Sequence, residues 1–141
     1  MSEKDDIIRV ILCYPDVQAI YLFGTYDTED ERPDSDVDIA VLLAPQQARA
    51  AGCLALSGLR VELEDLTKKE VDLINLRRAP TVLQKEVIAA DRRIYPAVSE
   101  SRADEYAADE FEMLTLSYYQ KLNEERAEIV EDALATGRFI V

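Results

Sequence analysis

Two aspartates one residue apart open an apolar run, Asp36-Val37-Asp38-Ile39-Ala40-Val41-Leu42-Leu43, and ten residues separate Asp36 from an earlier run that ends Leu22-Phe23-Gly24-Thr25. In a strand, alternate side chains share a face, so Asp36 and Asp38 project together, roughly 6.5 Å apart along the chain. Val37, Ile39, Val41 and Leu43 take the opposite face and can be buried. Two carboxylates on one face of a largely apolar strand repel each other and are costly to desolvate unless a cation compensates them. A hard divalent ion with oxygen ligands suits that position, and Mg²⁺ usually completes its shell with substrate phosphates. Gly24 and Thr25 add backbone N–H groups and a hydroxyl at the end of the preceding strand, a donor set suited to phosphate. The constellation predicts a site for a nucleoside triphosphate and its metal.

The bland alternatives are a solvated acidic turn or a calcium loop with ligands at alternate positions. An EF-hand loop needs glycine at its sixth position, where this chain has Ile39, and flanking helices instead of an apolar strand. Gly24 alone would read as an ordinary turn residue and Thr25 alone as a β-former ending its strand.

Gly24-Thr25, the connection of this length and Asp36-Val37-Asp38 resemble the mark of the DNA polymerase β-like nucleotidyltransferases, Gly-Ser followed by a loop and Asp-x-Asp. The compact chain is similar to the minimal nucleotidyltransferases (MNT), and among them to the MNT antitoxins that are paired with HEPN toxins. The resemblance extends over most of the chain, but only the stretch from Leu22 to Leu43 is specific. It implies a third carboxylate on a later strand, and Asp72 within Val71-Asp72-Leu73-Ile74-Asn75-Leu76 stands at the expected place in the order. The bland reading of Asp72 is a solvent-facing carboxylate at a strand edge.

As the resemblance implies, Gly24 and Thr25 would hold the triphosphate of ATP. Asp36, Asp38 and Asp72 would be the catalytic carboxylates and the ligands of two Mg²⁺ ions. The reaction would transfer AMP to a tyrosine hydroxyl of a cognate HEPN ribonuclease toxin, silencing it within a hetero-oligomer. Two other functions compete: a non-catalytic antitoxin that neutralises its toxin by binding alone, and a nucleotidyltransferase acting on a small molecule of the aminoglycoside type. The second would ordinarily need a further domain for its acceptor.

Two positions depart from the family pattern. Thr25 replaces the usual serine, keeping the hydroxyl and adding a methyl. The loop Tyr26-Asp27-Thr28-Glu29-Asp30-Glu31-Arg32 has no glycine and Arg32 as its one cation, where a basic residue and a glycine are common. Its four acids, unless they point to solvent, are expected to weaken ATP binding by like-charge repulsion.

The elements that must position these residues are legible as alternating and helical patterns. Ile7, Ile8, Ile11 and Leu12 predict a first helix ending near Pro15, followed by strands over Val17–Phe23 and Asp36–Leu43. Pro45 is expected to open a single helix running to about Lys68, softened by Gly52 and Gly58, with Leu54, Leu56, Leu59, Leu63 and Leu66 toward the sheet. A third strand spans Val71–Leu76, a shorter helix runs from Pro80 through Ala90, and Arg93-Ile94-Tyr95 can add an edge strand. From about Arg102 to Thr136 extends one long helical pattern that Gly137 would stop. Its apolar stripe of Phe111, Leu114, Tyr118, Leu122, Ile129 and Ala133 is expected chiefly to pack on the sheet, the alternative being that part of it docks a partner helix.

The fold class expected is α+β: a small mixed β-sheet backed by helices, with a long C-terminal helix. The 141 residues, 48% of them hydrophobic, suit one domain, with a core over about 5–98 and a helical arm over about 102–137. No run approaches a membrane span, and the acidic start Met1-Ser2-Glu3-Lys4-Asp5-Asp6 does not read as a signal peptide, so a cytoplasmic location is expected. Cys13 and Cys53 lie in helical contexts and are expected to be buried thiols. With 16 basic and 29 acidic residues the net charge is −13, which disfavours direct nucleic-acid binding and suits a basic protein partner. The absence of histidine excludes a Ser-His-Asp or Cys-His triad and the commonest zinc ligand, and no P-loop is present.

Overall fold

The structure is a computed structural model, described here for residues 2–51, 57–96 and 101–136. A four-stranded sheet in the order β3-β2-β1-β4 forms its middle. The strands are β1 (Val17–Phe23), β2 (Val37–Leu43), β3 (Val71–Asn75) and β4 (Arg93–Tyr95). β2 runs antiparallel to β1 and parallel to β3, and β4 pairs antiparallel with the other side of β1. The parallel pair requires a long crossover between β2 and β3. That crossover contains α2 (Pro45–Ala51) and α3 (Ser57–Thr67). The remaining helices are α1 (Glu3–Ile11), α4 (Thr81–Ala89) and α5 (Arg102–Thr136).

Alternation along β2 sorts its residues as expected. Val37, Ile39, Val41 and Leu43 join Ile7 and Ile11 of α1 and Leu59 and Leu63 of α3 in one core cluster. Ala40 and Leu42 face the other layer with Ala19, Tyr21, Val87 of α4 and Ala108 of α5. α1 begins sharply because Ser2 and Asp5 form a reciprocal capping box, and its Ile7 and Ile11, one turn apart, are fully buried.

Two expectations change on this frame, and a third is covered only in part. The helix expected to run from Pro45 to about Lys68 is described over Pro45–Ala51 and Ser57–Thr67, and Gly52, Leu54 and Leu56 lie outside the described residues. Of its expected sheet-facing leucines, Leu59 and Leu63 are buried and Leu66 packs against the same cluster. Cys13 is exposed in the turn after α1, its thiol donating to the Arg9 carbonyl, and Cys53 lies outside the described residues.

The second change concerns α5. Leu114, Tyr118 and Ile129 are 60%, 55% and 60% exposed. Of the expected stripe only Phe111 and Leu122 are partly covered, and the side chain of Ala133 is outside the described residues. Ala108 and Thr115 are the buried positions instead. The helix is rotated by polar bonds that hydropathy alone does not register. Tyr21 donates its hydroxyl proton to Glu112 at 2.9 Å, Arg93 bridges Asp109 and Glu112, and Tyr95 donates to Asp104 at 2.7 Å. Burial, with Glu112 beside it, holds the Tyr21 phenol well above its ordinary pKa. Gly137 is outside the described residues.

Candidate active site

Asp38 is the second residue of β2, and the register of the sheet sets its neighbours. On one side it stands opposite Phe23, the last residue of β1, and on the other opposite Asp72 of β3. Gly24 follows Phe23 with φ +72, a conformation that glycine adopts without steric cost. A Cβ built on Gly24 would lie 2.1 Å from Asp38 Oδ2, so the carboxylate occupies the space that any larger residue would need. Asp36 precedes β2 at its open end; Asp36 and Asp72 are exposed, while Asp38 is half-buried. Burial raises the Asp38 pKa above the ordinary carboxylate value, and repulsion from Asp72 and then Asp36 adds to the shift.

The turn after Gly24 is held from several directions. Thr25 Oγ1 donates to Ser35 Oγ at 3.2 Å, and the Ser35 hydroxyl also accepts the Arg32 N–H at 2.8 Å. Tyr26 is buried, its hydroxyl bonded to Glu3 of α1, and burial together with that carboxylate raises its pKa. Arg92 donates to the carbonyls of both Gly24 and Tyr26. Beside the turn lies a cavity of about 560 Å³ lined by Thr25, Glu29, Asp30, Glu31, Arg32 and Ser35.

The acidic loop is not a uniform handicap. Asp27 pairs with Lys4 at 2.7 Å, outside the cavity lining. Glu31 accepts the Asp27 N–H at 2.8 Å and the Lys69 ammonium at 3.1 Å, which together lower its pKa. Glu29 and Asp30 are exposed, line the cavity and have no such ion pair among the described residues.

The fold therefore brings Gly24, Asp38 and Asp72 together at one end of the sheet, with Thr25 and Asp36 at its mouth. Ser35 and Arg92 belong to the same site and were not singled out by sequence. Ser35 could have been noticed inside Pro33-Asp34-Ser35-Asp36, whereas Arg92 has no local signal. Among the described residues, no group of three or more acidic or cysteine side chains converges closely enough to form a ready metal cage. An all-oxygen carboxylate set that stays open still fits Mg²⁺, which takes one or two protein carboxylates and leaves the rest of its shell to water and phosphate. Asp38, with two like charges beside it, is the group such a cation would relieve.

Comparison with known proteins gives this geometry a family. Residues 5–100 match the family model described as "Polymerase beta, Nucleotidyltransferase". The chain is 35% identical over 121 residues to the protein adenylyltransferase MntA of Shewanella oneidensis, covering 86% of this chain and 79% of that protein. A crystal structure of a toxin–antitoxin with AMP-PNP contains a chain of the same fold, with TM-score 0.73 and 32% identity over 93% of this chain and 98% of the other. A chain from the complex of tri-AMPylated Shewanella oneidensis HEPN toxin with MNT antitoxin aligns with TM-score 0.70 and 31% identity, over 94% and 96% of the two chains. With the family model spanning the sheet and every residue of the site, the chain belongs to the polymerase beta nucleotidyltransferase family.

Proposed function

We propose that this protein is an antitoxin that works as a protein adenylyltransferase, moving AMP from ATP to a tyrosine hydroxyl of a cognate HEPN ribonuclease toxin and so neutralising it. The observation that carries the reading is the Asp38 carboxylate seated over Gly24, with Asp72 beside it in register on the parallel strand. The similarity to MntA and to antitoxin chains solved with AMP-PNP and with AMPylated toxin supports the same donor and the same class of acceptor.

In this reading the N–H groups of the Gly24–Thr25 turn and the Thr25 and Ser35 hydroxyls receive the β- and γ-phosphates. Asp36 and Asp38 would hold the Mg²⁺ of the triphosphate and share a second ion with Asp72. When bound, the ions neutralise phosphate charge and lower the pKa of the acceptor hydroxyl. Asp72, exposed at the edge of the site, faces the acceptor and receives its proton. The tyrosine oxygen attacks the α-phosphorus, the bond to the β-phosphate breaks, and pyrophosphate leaves. Because both reactants are held on one rigid sheet end, positioning supplies much of the rate.

In this reading the catalytic core covers about 5–98, and the arm that engages the toxin covers about 102–137. Tyr106, Met113, Leu114, Leu116 and Tyr118 of α5 leave an exposed apolar surface flanked by acids. That surface suits a partner with an apolar patch inside a basic rim, in keeping with a net charge of −13. No helix among the described residues is long and apolar enough to cross a membrane, and the proposed location is the cytoplasm, with the toxin.

Intact-mass spectrometry of the toxin after incubation with this chain, Mg²⁺ and ATP tests the reading. One or more AMP additions are expected, and Asp72→Asn should suppress transfer more than ATP binding. A toxin neutralised with no change in mass would reduce the protein to an antitoxin that acts by binding.

A further inference from the structure

We infer that Arg92, far from the acidic motif in sequence, is the positioning residue that aims the phosphate-binding turn; the inference rests on the nucleotide site proposed above. Arg92 lies between α4 and β4, and its carbonyl accepts the Leu22 N–H at 3.0 Å, which registers the residue against β1. Its side chain reaches past the end of β1, where Nη1 donates to the Gly24 carbonyl at 3.0 Å and Nη2 donates to the Tyr26 carbonyl. Among the described residues Arg92 makes no ion pair. Although the loop it reaches carries four acids, this cation is directed at two backbone carbonyls.

The planar trans peptide turns that contact into an orientation. Within one peptide unit the C=O and N–H point in opposite directions, so fixing the Gly24 carbonyl toward Arg92 turns the Thr25 N–H away from it. The Tyr26 carbonyl, held the same way, turns the Asp27 N–H away, and that N–H does reach out on its other side to Glu31 at 2.8 Å. Between the two clamped units, the Thr25 carbonyl accepts the Thr28 N–H at 3.1 Å, which closes the turn. Gly24 at φ +72 has a shallow conformational preference of its own, so an external clamp is what selects one orientation of its peptide. The planar guanidinium presents its donors in a fixed relation that matches two carbonyls, whereas the donors of an ammonium rotate on a flexible stem and leave that relation open.

The test compares wild type, Arg92→Lys and Arg92→Met, each with Mg²⁺ and AMP-PNP in calorimetry, with thermal unfolding and amide exchange of the nucleotide-free proteins alongside. Both variants are expected to bind AMP-PNP roughly ten- to a hundred-fold more weakly, the range expected for losing hydrogen bonds from a charged donor. Their amides at Asp27 and Thr28, bonded to Glu31 and to the Thr25 carbonyl, should exchange faster than in wild type while those of β1 and β2 stay protected. Wild-type affinity in Arg92→Lys would mean that charge alone suffices and would overturn the clamp. Unchanged exchange at the turn in both variants would overturn it as well. If Arg92→Met does not fold, Arg92→Lys, which keeps the stem and the charge, carries the comparison. A wild-type protein that binds no AMP-PNP would defeat the proposed function, and the amide exchange would still judge the clamp.

Discussion

Burial first, and then repulsion from Asp72 and Asp36, disfavour the charged form of the Asp38 carboxyl, a penalty that a bound cation would relieve. For an acid whose pKa is raised by folding, the penalty is absent below the ordinary carboxylate pKa, grows as pH rises, and is complete above the raised value. Asp38→Asn should therefore stabilise the nucleotide-free protein, on the order of a few tenths of a kcal/mol for so open a site, while removing Mg²⁺-dependent ATP binding. Thermal scans with and without Mg²⁺–ATP read both effects at once. With Asp38 in its proposed role as metal ligand, the ATP affinity of the wild type should begin to fall at a higher pH than an unperturbed aspartate would cause. At the neighbouring position, Gly24→Ala faces a left-handed backbone, unfavourable by about 1–2 kcal/mol, and a Cβ in the space of Asp38 Oδ2. It should lower the melting temperature and cut AMP transfer by roughly a hundred-fold through misplacement of the carboxylate.

At the scale of elements, the loop between β1 and β2 divides its acids between two tasks. Asp27 and Glu31 tie the loop to α1 and to Lys69, whereas Glu29 and Asp30, which line the cavity beside Thr25 together with Glu31, have no ion pair among the described residues. Replacing Glu29 and Asp30 with Gln and Asn should tighten Mg²⁺–ATP binding, most clearly at low ionic strength where like-charge repulsion is least screened. Asp27→Ala should give no such gain, since it removes the Lys4 partner and frees the loop. Titration calorimetry at two salt concentrations separates the cases, and a gain from Asp27→Ala equal to that from the pair would show that net charge alone governs affinity. α5 shows the same division along a helix. One side is bolted to the sheet by Glu112, Asp109 and Asp104, and the remainder leaves Met113, Leu114, Leu116 and Tyr118 exposed.

For the whole molecule, a surface of net charge −13 acts on a partner before contact is made. Association with a basic toxin should be fast at low salt and slow steeply as ionic strength rises, while dissociation depends on the desolvated apolar contacts. Met113→Ser combined with Leu114→Ser should leave stability within about 0.5 kcal/mol, as expected of exposed positions, and accelerate release of the toxin in surface plasmon resonance. A release rate equal to that of the wild type would move the docking surface off α5.

Sequence by itself determined what is local. The two-residue period of Val37–Leu43 put Val37, Ile39, Val41 and Leu43 on the face opposite Asp36 and Asp38, and β1, α4 and β4 lie within a residue or so of where pattern and punctuation put them. Such features depend on periodicity and on Pro, Gly and capping chemistry, all written within a few residues. What only the tertiary structure decided involves residues distant in the chain. The parallel pairing of β3 with β2 sets Asp72 level with Asp38, and the end of β1 brings Gly24 under that carboxylate. Arg92 reaches the same turn from the far side of β1. On α5 a helical period was visible, but hydropathy chose the wrong side for burial. Hydrogen bonds from Tyr21, Arg93 and Tyr95 to its acids set the rotation, and no apolar period encodes a polar bond to another element.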